Sequence, residues 1–165
     1  MKDLEISMGL STNLSLIDLR LCAKEFIDFI DGFSDNFNTE NYLILTALQD
    51  ELLVGMLIAD KKCNNDDPII NFLPTTSLKL LFVAPKFRNN KIGYFLLNKF
   101  LNLQKEEGIA LIHIELPQHY IWGIKFFQKY NFHEKERFRN KIILERNIWI
   151  DFGIRDTDLI DNSFY

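Results

Sequence analysis

The hydrophobic and polar positions of this chain follow two periods, and together they predict a succession of helices and strands. Apolar residues recur at helical spacing from Ser15 to Ile30 and again from Ile92 to Glu107, which predicts two amphipathic helices. A third, short helix is expected from Ile121 to Tyr130. Short apolar runs bounded by turn-forming residues predict strands at 4–8, 41–48, 52–59, 78–83, 110–116, 132–137 and 141–148.

The order of these elements predicts an α/β fold. The helix at 92–107 connects the strands at 78–83 and 110–116, and such a crossover makes its two strands parallel. The tight turns between the remaining strands make their pairing antiparallel. We therefore expect a central mixed β-sheet flanked by helices on both faces. One domain would span residues 1–148, and the acidic stretch at 149–165 would be a C-terminal extension that the pattern does not place.

Composition narrows the classes of function. The 165 residues are 47% hydrophobic, which is enough for a real core, and the net charge of -4 argues against nucleic acid as the main partner. No apolar run is long enough to span a membrane, and the first residues lack the pattern of a signal peptide. Cys22 and Cys63 stand in no zinc-binding spacing, so we expect free thiols, no metal and a cytoplasmic protein.

The segment from Leu81 to Tyr94 is the part of the sequence that indicates chemistry. A buried strand leads into a polar loop, and the loop opens a helix whose first N–H groups lack intrahelical partners. Gly93 allows close approach of a ligand, and Lys86, Arg88 and Lys91 add positive charge. These features favour a binding site for pyrophosphate. An ordinary strand-loop-helix junction with solvated charges explains the segment equally well, and physics alone leaves both interpretations open.

Three short motifs resemble the GNAT acyltransferase family. Val83-x-Pro85-x-x-Arg88-x-x-x-Ile92-Gly93 resembles the acetyl-CoA loop of that family, whose pattern is V-x-P-x-x-[QR]-x-x-G-x-[GA]. The step Leu53-Val54-Gly55-Met56 is similar to the valine-glycine step of the family's third strand. The run from Phe126 to Phe132 resembles the late motif [FL]-Y-x-x-x-G-F. All three motifs occur in the family's order and spacing.

This resemblance implies a function and a site. The reaction would be transfer of an acetyl or other acyl group from acyl-CoA to a primary amine, by direct attack within a ternary complex. The acceptor would be a small-molecule or peptide amine, and a homodimer is left open. Backbone groups of Phe82 and Val83 would pair with the pantetheine arm, and the two parallel strands would splay apart to admit the thioester. The pyrophosphate would be bound by the backbone of Arg88, Asn89, Asn90, Lys91, Ile92, Gly93 and Tyr94.

The chain departs from the family pattern at several positions. Lys91 replaces the first glycine of the loop, and Asn131 replaces the glycine of the late motif. Phe127 stands where the family often has a tyrosine that is thought to protonate the leaving thiolate. Tyr120 stands where the family has an asparagine that usually contacts CoA, and Gly123 takes the place of the alanine that follows it. These departures make cofactor binding a firmer expectation than catalysis.

The catalytic groups are therefore predicted separately. The backbone N–H of Val83 is the candidate donor for the oxyanion, Glu115 is a candidate base, and Tyr120 is a candidate proton donor. His113 shares a strand face with Glu115, but we favour a hydrogen-bonded histidine beside the core; His119 is a weaker candidate in a loop. The alternative to an enzyme is a non-catalytic acyl-CoA-binding or protein-interaction module on a decayed GNAT fold.

Overall fold

The structure is a computed structural model that describes residues 3–9, 42–61 and 73–149. The predicted helix from Ser15 to Ile30, both cysteines and the extension beyond Trp149 lie outside the described residues.

The described strands and helices follow the predicted order. The strands are β1 (Leu4–Met8), β2 (Tyr42–Gln49), β3 (Leu52–Asp60), β4 (Thr75–Val83), β5 (Leu111–Pro117), β6 (His133–Arg137) and β7 (Lys141–Asn147). The helices are α1 (Ile92–Glu106) and α2 (Ile121–Lys129), with a short 3₁₀ turn at Pro85–Phe87. The strands form one open, mixed sheet in the order β1-β2-β3-β4-β5-β7-β6, which confirms the predicted α/β class. Neither described helix is long and apolar enough to cross a membrane.

The chain divides into two compact units. The first comprises residues 1–62 and 77–102, and the second comprises residues 63–76 and 103–165. In the first unit, β1, β2, β3 and β4 pair antiparallel with their neighbours in sequence. Asp50 and Glu51 both have positive φ, at 52° and 65°, between the ends of β2 and β3. Two such residues form the turn whose twist matches a hairpin, so the predicted hairpin is confirmed.

Helix α1 packs on β3 at Gly55. A Cβ atom at Gly55 would lie 3.0 Å from Leu96 Cδ1, 3.1 Å from the Phe82 carbonyl oxygen and 3.2 Å from Ile92 Cγ2. The absence of a side chain therefore lets the first turns of α1 approach the strand closely. The buried positions of α1 recur at helical spacing and comprise Ile92, Leu96, Leu97, Phe100, Leu101 and Gln104. The beginning of α1 is thus fixed against β3, close to where β4 ends.

In the second unit, β7 lies between β5 and β6, and both pairings are antiparallel. Ile112 and Ile114 of β5 and Leu144 of β7 are buried on one face of this three-stranded segment. Arg146 lies opposite Ile112 on that face, and its Nη1 donates to the Tyr130 carbonyl oxygen at 3.1 Å. Because Tyr130 follows the last turn of α2, this bond places the end of α2 on the buried face.

Helix α2 ends in a Schellman motif in which asparagine replaces the usual glycine. The Phe132 N–H donates to Phe127 C=O at 3.0 Å, and the Asn131 N–H donates to Gln128 C=O at 3.2 Å. Asn131 adopts φ 67°, the left-handed conformation that this cap requires. The Phe127 and Phe132 rings meet edge to face, with centroids 5.1 Å apart. The late motif is therefore a helix cap with its hydrophobic contact.

Candidate active site

The site begins at the last residues of β4. The Ala84 N–H donates to the Val54 carbonyl oxygen of β3 at 2.8 Å. Alternate residues of an antiparallel strand point toward a given neighbour, so Phe82 directs its N–H and C=O toward Met56 of β3. The N–H and C=O of Val83 point away from β3. Of the two residues predicted to pair with pantetheine, Val83 has the outward-facing backbone groups.

The loop that follows β4 reverses the chain within a few residues. Pro85–Phe87 forms a 3₁₀ turn and Arg88 is extended, with φ -68° and ψ 156°. Asn89 and Lys91 then adopt positive φ, at 68° and 63°. Lys91 thus takes the left-handed conformation at the position where the family pattern has glycine. The loop therefore keeps a left-handed residue at position 91 without glycine, and the Lys91 side chain is exposed there.

The first turn of α1 is suited to an anion. The Lys91 carbonyl accepts the hydrogen bond from the Phe95 N–H at 3.0 Å, which opens the helix. Helical hydrogen bonding begins with this bond, so the N–H groups of the preceding turn lie at the positive end of the helix dipole. Lys91 has no side-chain oxygen to cap them, and the first turn contains no acidic residue. The positive end of the helix dipole is left for an external anion.

The Arg88 side chain contacts the end of β4. Its Nε donates to the Val83 carbonyl oxygen at 2.9 Å. Its guanidinium carbon lies 5.8 Å from the centroid of the Phe82 ring, within the range of a cation–π contact. The side chain therefore folds back from the loop onto the end of β4. Sequence reasoning missed this contact because it depends on the reversal of the loop.

The second unit holds the candidate base. The Glu115 side chain is 57% exposed on β5, and its Oε1 lies 3.1 Å from Lys141 Nζ of β7. His113, two residues earlier on the same face, hydrogen-bonds through Nε2 to Glu145 of β7. Lys135 of β6 completes this group, with Nζ 3.5 Å from Glu145 Oε2. His113 is thus a hydrogen-bonded histidine beside the core, as the sequence interpretation favoured.

The candidate proton donor Tyr120 is positioned by a glycine. Tyr120 caps α2, and its N–H donates to the Pro117 carbonyl oxygen at 3.0 Å. Its ring lies on the backbone of Gly123, where a Cβ atom would overlap ring atoms Cδ1 and Cε1. The glycine that replaces the family's alanine therefore makes room for the tyrosine that replaces the family's asparagine. Neither substitution alone predicts this pairing.

Phe127 does not reach the surface of α2. It is 4% exposed and packs against Phe126 and Phe132.

On strand β6, Arg137 Nε donates to Glu134 Oε1 at 2.5 Å. This hydrogen bond raises the pKa of the exposed Arg137, which therefore stays charged. Within the described residues, no group of three His, Cys, Asp or Glu side chains is arranged to hold a metal ion.

The predicted site residues thus fall into two groups. Phe82, Val83 and the run from Arg88 to Tyr94 form one continuous strand-loop-helix segment in the first unit. Glu115 and Tyr120 belong to the second unit, at the end of β5 and the start of α2. The direction of the Val83 N–H and C=O follows from residue alternation along β4 once the partner residue on β3 is known. The partners of Glu115 and Tyr120 depend on the fold.

Comparison with known proteins identifies the family. A family model described as an acetyltransferase (GNAT) domain matches residues 14–144. The chain therefore belongs to the GNAT acetyltransferase family, and this membership implies acyl transfer from an acyl-CoA. A search of curated protein sequences finds no match.

Solved structures share the fold at low sequence identity. The ribosomal-protein-S18-alanine N-acetyltransferase from Escherichia coli is 17% identical, with a TM-score of 0.67 over 88% of this chain and 94% of that one. A GNAT acetyltransferase from Elizabethkingia anophelis, with acetyl-CoA bound, is 18% identical, with a TM-score of 0.63 over 87% and 97%. The PaiA N-acetyltransferase from Thermoplasma acidophilum, in complex with coenzyme A, is 18% identical, with a TM-score of 0.61 over 87% and 99%.

Proposed function

We propose that this protein is an N-acyltransferase that binds acetyl-CoA, or a related acyl-CoA, at the end of β4 and the start of α1. The observation that carries the proposal is the continuous segment from Val83 to Tyr94. It joins an outward-facing strand end to a left-handed loop and to a helix whose first turn contains no acidic residue. The solved relatives from Elizabethkingia anophelis and Thermoplasma acidophilum bind acetyl-CoA and coenzyme A, which supports the same cosubstrate here.

The proposed chemistry is a direct transfer. The nitrogen of a neutral amine attacks the thioester carbonyl carbon, the C–S bond breaks, and the proton lost by the nitrogen is balanced by protonation of the leaving thiolate. The Val83 N–H donates to the developing oxyanion. Glu115 takes the proton of the amine, directly or through water, and Tyr120 supplies the proton to the thiolate. Phe127 has no hydroxyl group to donate where the family often has a tyrosine. Because a thiol is a fair leaving group, this replacement does not prevent turnover.

The acceptor is proposed at the level of its chemical class. It is a primary amine, carried by a small molecule or by a peptide. The relative from Escherichia coli is named for acetylation of an alanine of a ribosomal protein, which supports a peptide amine as one of the two sources. Nucleic acid is not proposed as a substrate, because the chain carries a net charge of -4.

Calorimetry tests the cofactor site. Gly93→Val introduces a β-branched side chain between the ligand and the first turn of α1, and we expect CoA affinity to fall at least about tenfold, or ~1.4 kcal/mol. Asn98→Val is the matched control, because it places the same side chain at an exposed position of the same helix. Equal affinities in the two variants, with both folded, would place CoA elsewhere.

A second function is favoured by specific observations. Among the described residues, the buried Phe127 stands where the family often has a proton donor, and the candidate base Glu115 is paired with Lys141. The second candidate is a non-catalytic acyl-CoA-binding module. Thiol release from acetyl-CoA with a panel of small amines and peptides separates the two functions. Product with any amine supports the enzyme, and tight CoA binding with no product from the panel supports the binding module.

A further inference from the structure

The peptide unit that joins Val83 to Ala84 is held from both sides. On the side of β3, the Ala84 N–H donates to the Val54 carbonyl oxygen at 2.8 Å. On the opposite side, the Val83 carbonyl oxygen accepts a hydrogen bond from Arg88 Nε at 2.9 Å. This unit is where the chain leaves β4, and strand ends fray readily. The ladder bond and the Arg88 side chain therefore both restrain its orientation.

The Arg88 contact also lies on the edge that presents the candidate oxyanion donor. Within a strand, the N–H and C=O of one residue point to the same side. The Val83 C=O that Arg88 binds and the Val83 N–H therefore face the same direction, away from β3. The Phe82 ring supports the guanidinium from one side, at 5.8 Å from its centroid.

We propose that Arg88 is a positioning residue, which holds the end of β4 so that the Val83 N–H faces the thioester, and that its charge is secondary. This inference rests on the proposed acyltransferase function. It concerns how that site is held together and assigns Arg88 a role through Val83. In the sequence, the charge of Arg88 suggested a phosphate ligand, whereas the contact made by Nε is with the protein backbone.

The chemistry of the side chains gives this role a sharp signature. Arginine and glutamine both place a nitrogen with a hydrogen-bond donor at the ε position, whereas lysine has a methylene group there. Glutamine can therefore keep the bond to the Val83 carbonyl without the charge, and lysine keeps the charge without that bond.

The experiment compares Arg88→Gln, Arg88→Lys and Arg88→Met in the full-length chain, with Lys86→Met as a control. Lys86 is an exposed cation of the same loop, so its removal changes the local charge without touching Val83. Steady-state kinetics use acetyl-CoA and S-acetylpantetheine, which lacks the phosphates, with the best amine from the acceptor panel. The readouts are kcat and KM for each thioester.

A positioning role predicts the same ranking with both thioesters. We expect Arg88→Lys and Arg88→Met to lower kcat at least about tenfold, and Arg88→Gln to lose no more than about threefold. Lys86→Met should change only the KM for acetyl-CoA. Equal losses in all three Arg88 variants, no loss in any, or a higher rate for lysine than for glutamine would overturn the inference. So would effects that vanish with S-acetylpantetheine, because they would assign Arg88 to the phosphates.

A spectroscopic readout makes the inference independent of turnover. The ¹³C resonance of the Val83 carbonyl and the hydrogen exchange of the Ala84 amide report on the clamped peptide unit. Arg88→Lys and Arg88→Met should shift the Val83 carbonyl resonance and accelerate exchange of the Ala84 amide. Arg88→Gln should cause the smallest change in both readouts. If the wild-type protein acylates no amine, the proposed function fails while these spectra still decide the role of Arg88. Identical spectra in all variants would contradict it.

Discussion

At the scale of single residues, two positions that hold glycine in the family pattern here hold side chains in the left-handed region. Lys91 has φ 63° and Asn131 has φ 67°. The left-handed conformation costs most L-residues roughly 1–2 kcal/mol, and asparagine tolerates it better because its short side chain bonds locally. The two substitutions are therefore unequal: the lysine carries more strain than the asparagine.

We expect Lys91→Gly to raise the free energy of unfolding by about 1 kcal/mol over Lys91→Ala, measured by urea denaturation. Both variants remove the same charge, so their difference isolates the backbone conformation. The corresponding difference in unfolding free energy between Asn131→Gly and Asn131→Ala does not test the wild-type residue, so each glycine variant is also compared with the wild type. Asn131→Gly should raise the free energy of unfolding above the wild-type value by less than Lys91→Gly does. A Lys91→Gly protein no more stable than Lys91→Ala would mean that the lysine residue adopts its conformation without strain.

Glu115 is the residue on which the proposed proton transfer depends. Its carboxylate is exposed and pairs with Lys141 near the end of β5. If Glu115 is the base, Glu115→Gln should lower kcat roughly 100-fold and leave CoA affinity unchanged, since the substitution keeps the size and shape of the side chain.

Two variants separate this role from a simple loss of charge. Glu136→Gln makes the same change on the exposed strand β6 and should leave kcat near the wild-type value. Lys141→Met frees the Glu115 carboxylate from its ion pair, so catalysis should persist in that variant. Unaltered kcat in Glu115→Gln would remove Glu115 from the mechanism.

At the scale of elements, the start of α2 illustrates how two substitutions depend on each other. The Tyr120 ring occupies the space that a Cβ atom of residue 123 would need. Glycine in a helix is otherwise about 0.8–1.0 kcal/mol less favourable than alanine. The cost of Gly123 is therefore tolerated because it seats the ring of Tyr120.

This dependence predicts a change of sign. Gly123→Ala should destabilise the wild-type protein by about 1 kcal/mol, because the Tyr120 ring must move. In a Tyr120→Ala background, the same Gly123→Ala change should stabilise the protein by up to about 1 kcal/mol. A double-mutant cycle of unfolding free energies measures the coupling. Additive effects of the two changes would contradict the ring placement.

The elements themselves follow closely from the sequence pattern. The predicted helix at 92–107 is observed at Ile92–Glu106, and the hairpin strands agree within a residue at each end. β4 begins at Thr75, directly after Pro74 and three residues before the prediction. Burial alternates without a break from Thr75 to Val83, so the period of the strand outweighed the preceding proline.

The partners of the site residues could not be predicted in the same way. Lys141 reaches Glu115 because β5 and β7 pair with Pro117 opposite Lys141, and that register is a property of the folded sheet. The bond from Arg88 to Val83 requires the 3₁₀ turn at Pro85–Phe87, which returns the chain toward the end of β4. Periodicity reports which face a residue occupies, whereas these contacts depend on which segments are brought side by side.

At the scale of the whole molecule, the proposed reaction is a transfer between two bound substrates. Neither cysteine of the chain stands in the segment that forms the proposed cofactor site: Cys22 precedes β2 and Cys63 follows β3 in sequence. Direct attack requires only positioning, an oxyanion donor and a path for one proton. Positioning of bound reactants can lower a barrier by several kcal/mol, so a modest proton network is sufficient.

We therefore expect sequential kinetics, with double-reciprocal plots for acetyl-CoA and the amine that intersect instead of running parallel. The double variant Cys22→Ser, Cys63→Ser should retain activity, because no thiol carries the acyl group. Mass spectrometry of the enzyme incubated with acetyl-CoA alone should show no added acetyl group. Parallel plots together with a trapped acetyl-cysteine would replace direct attack by a two-step route, because an acyl-enzyme forms before the amine binds.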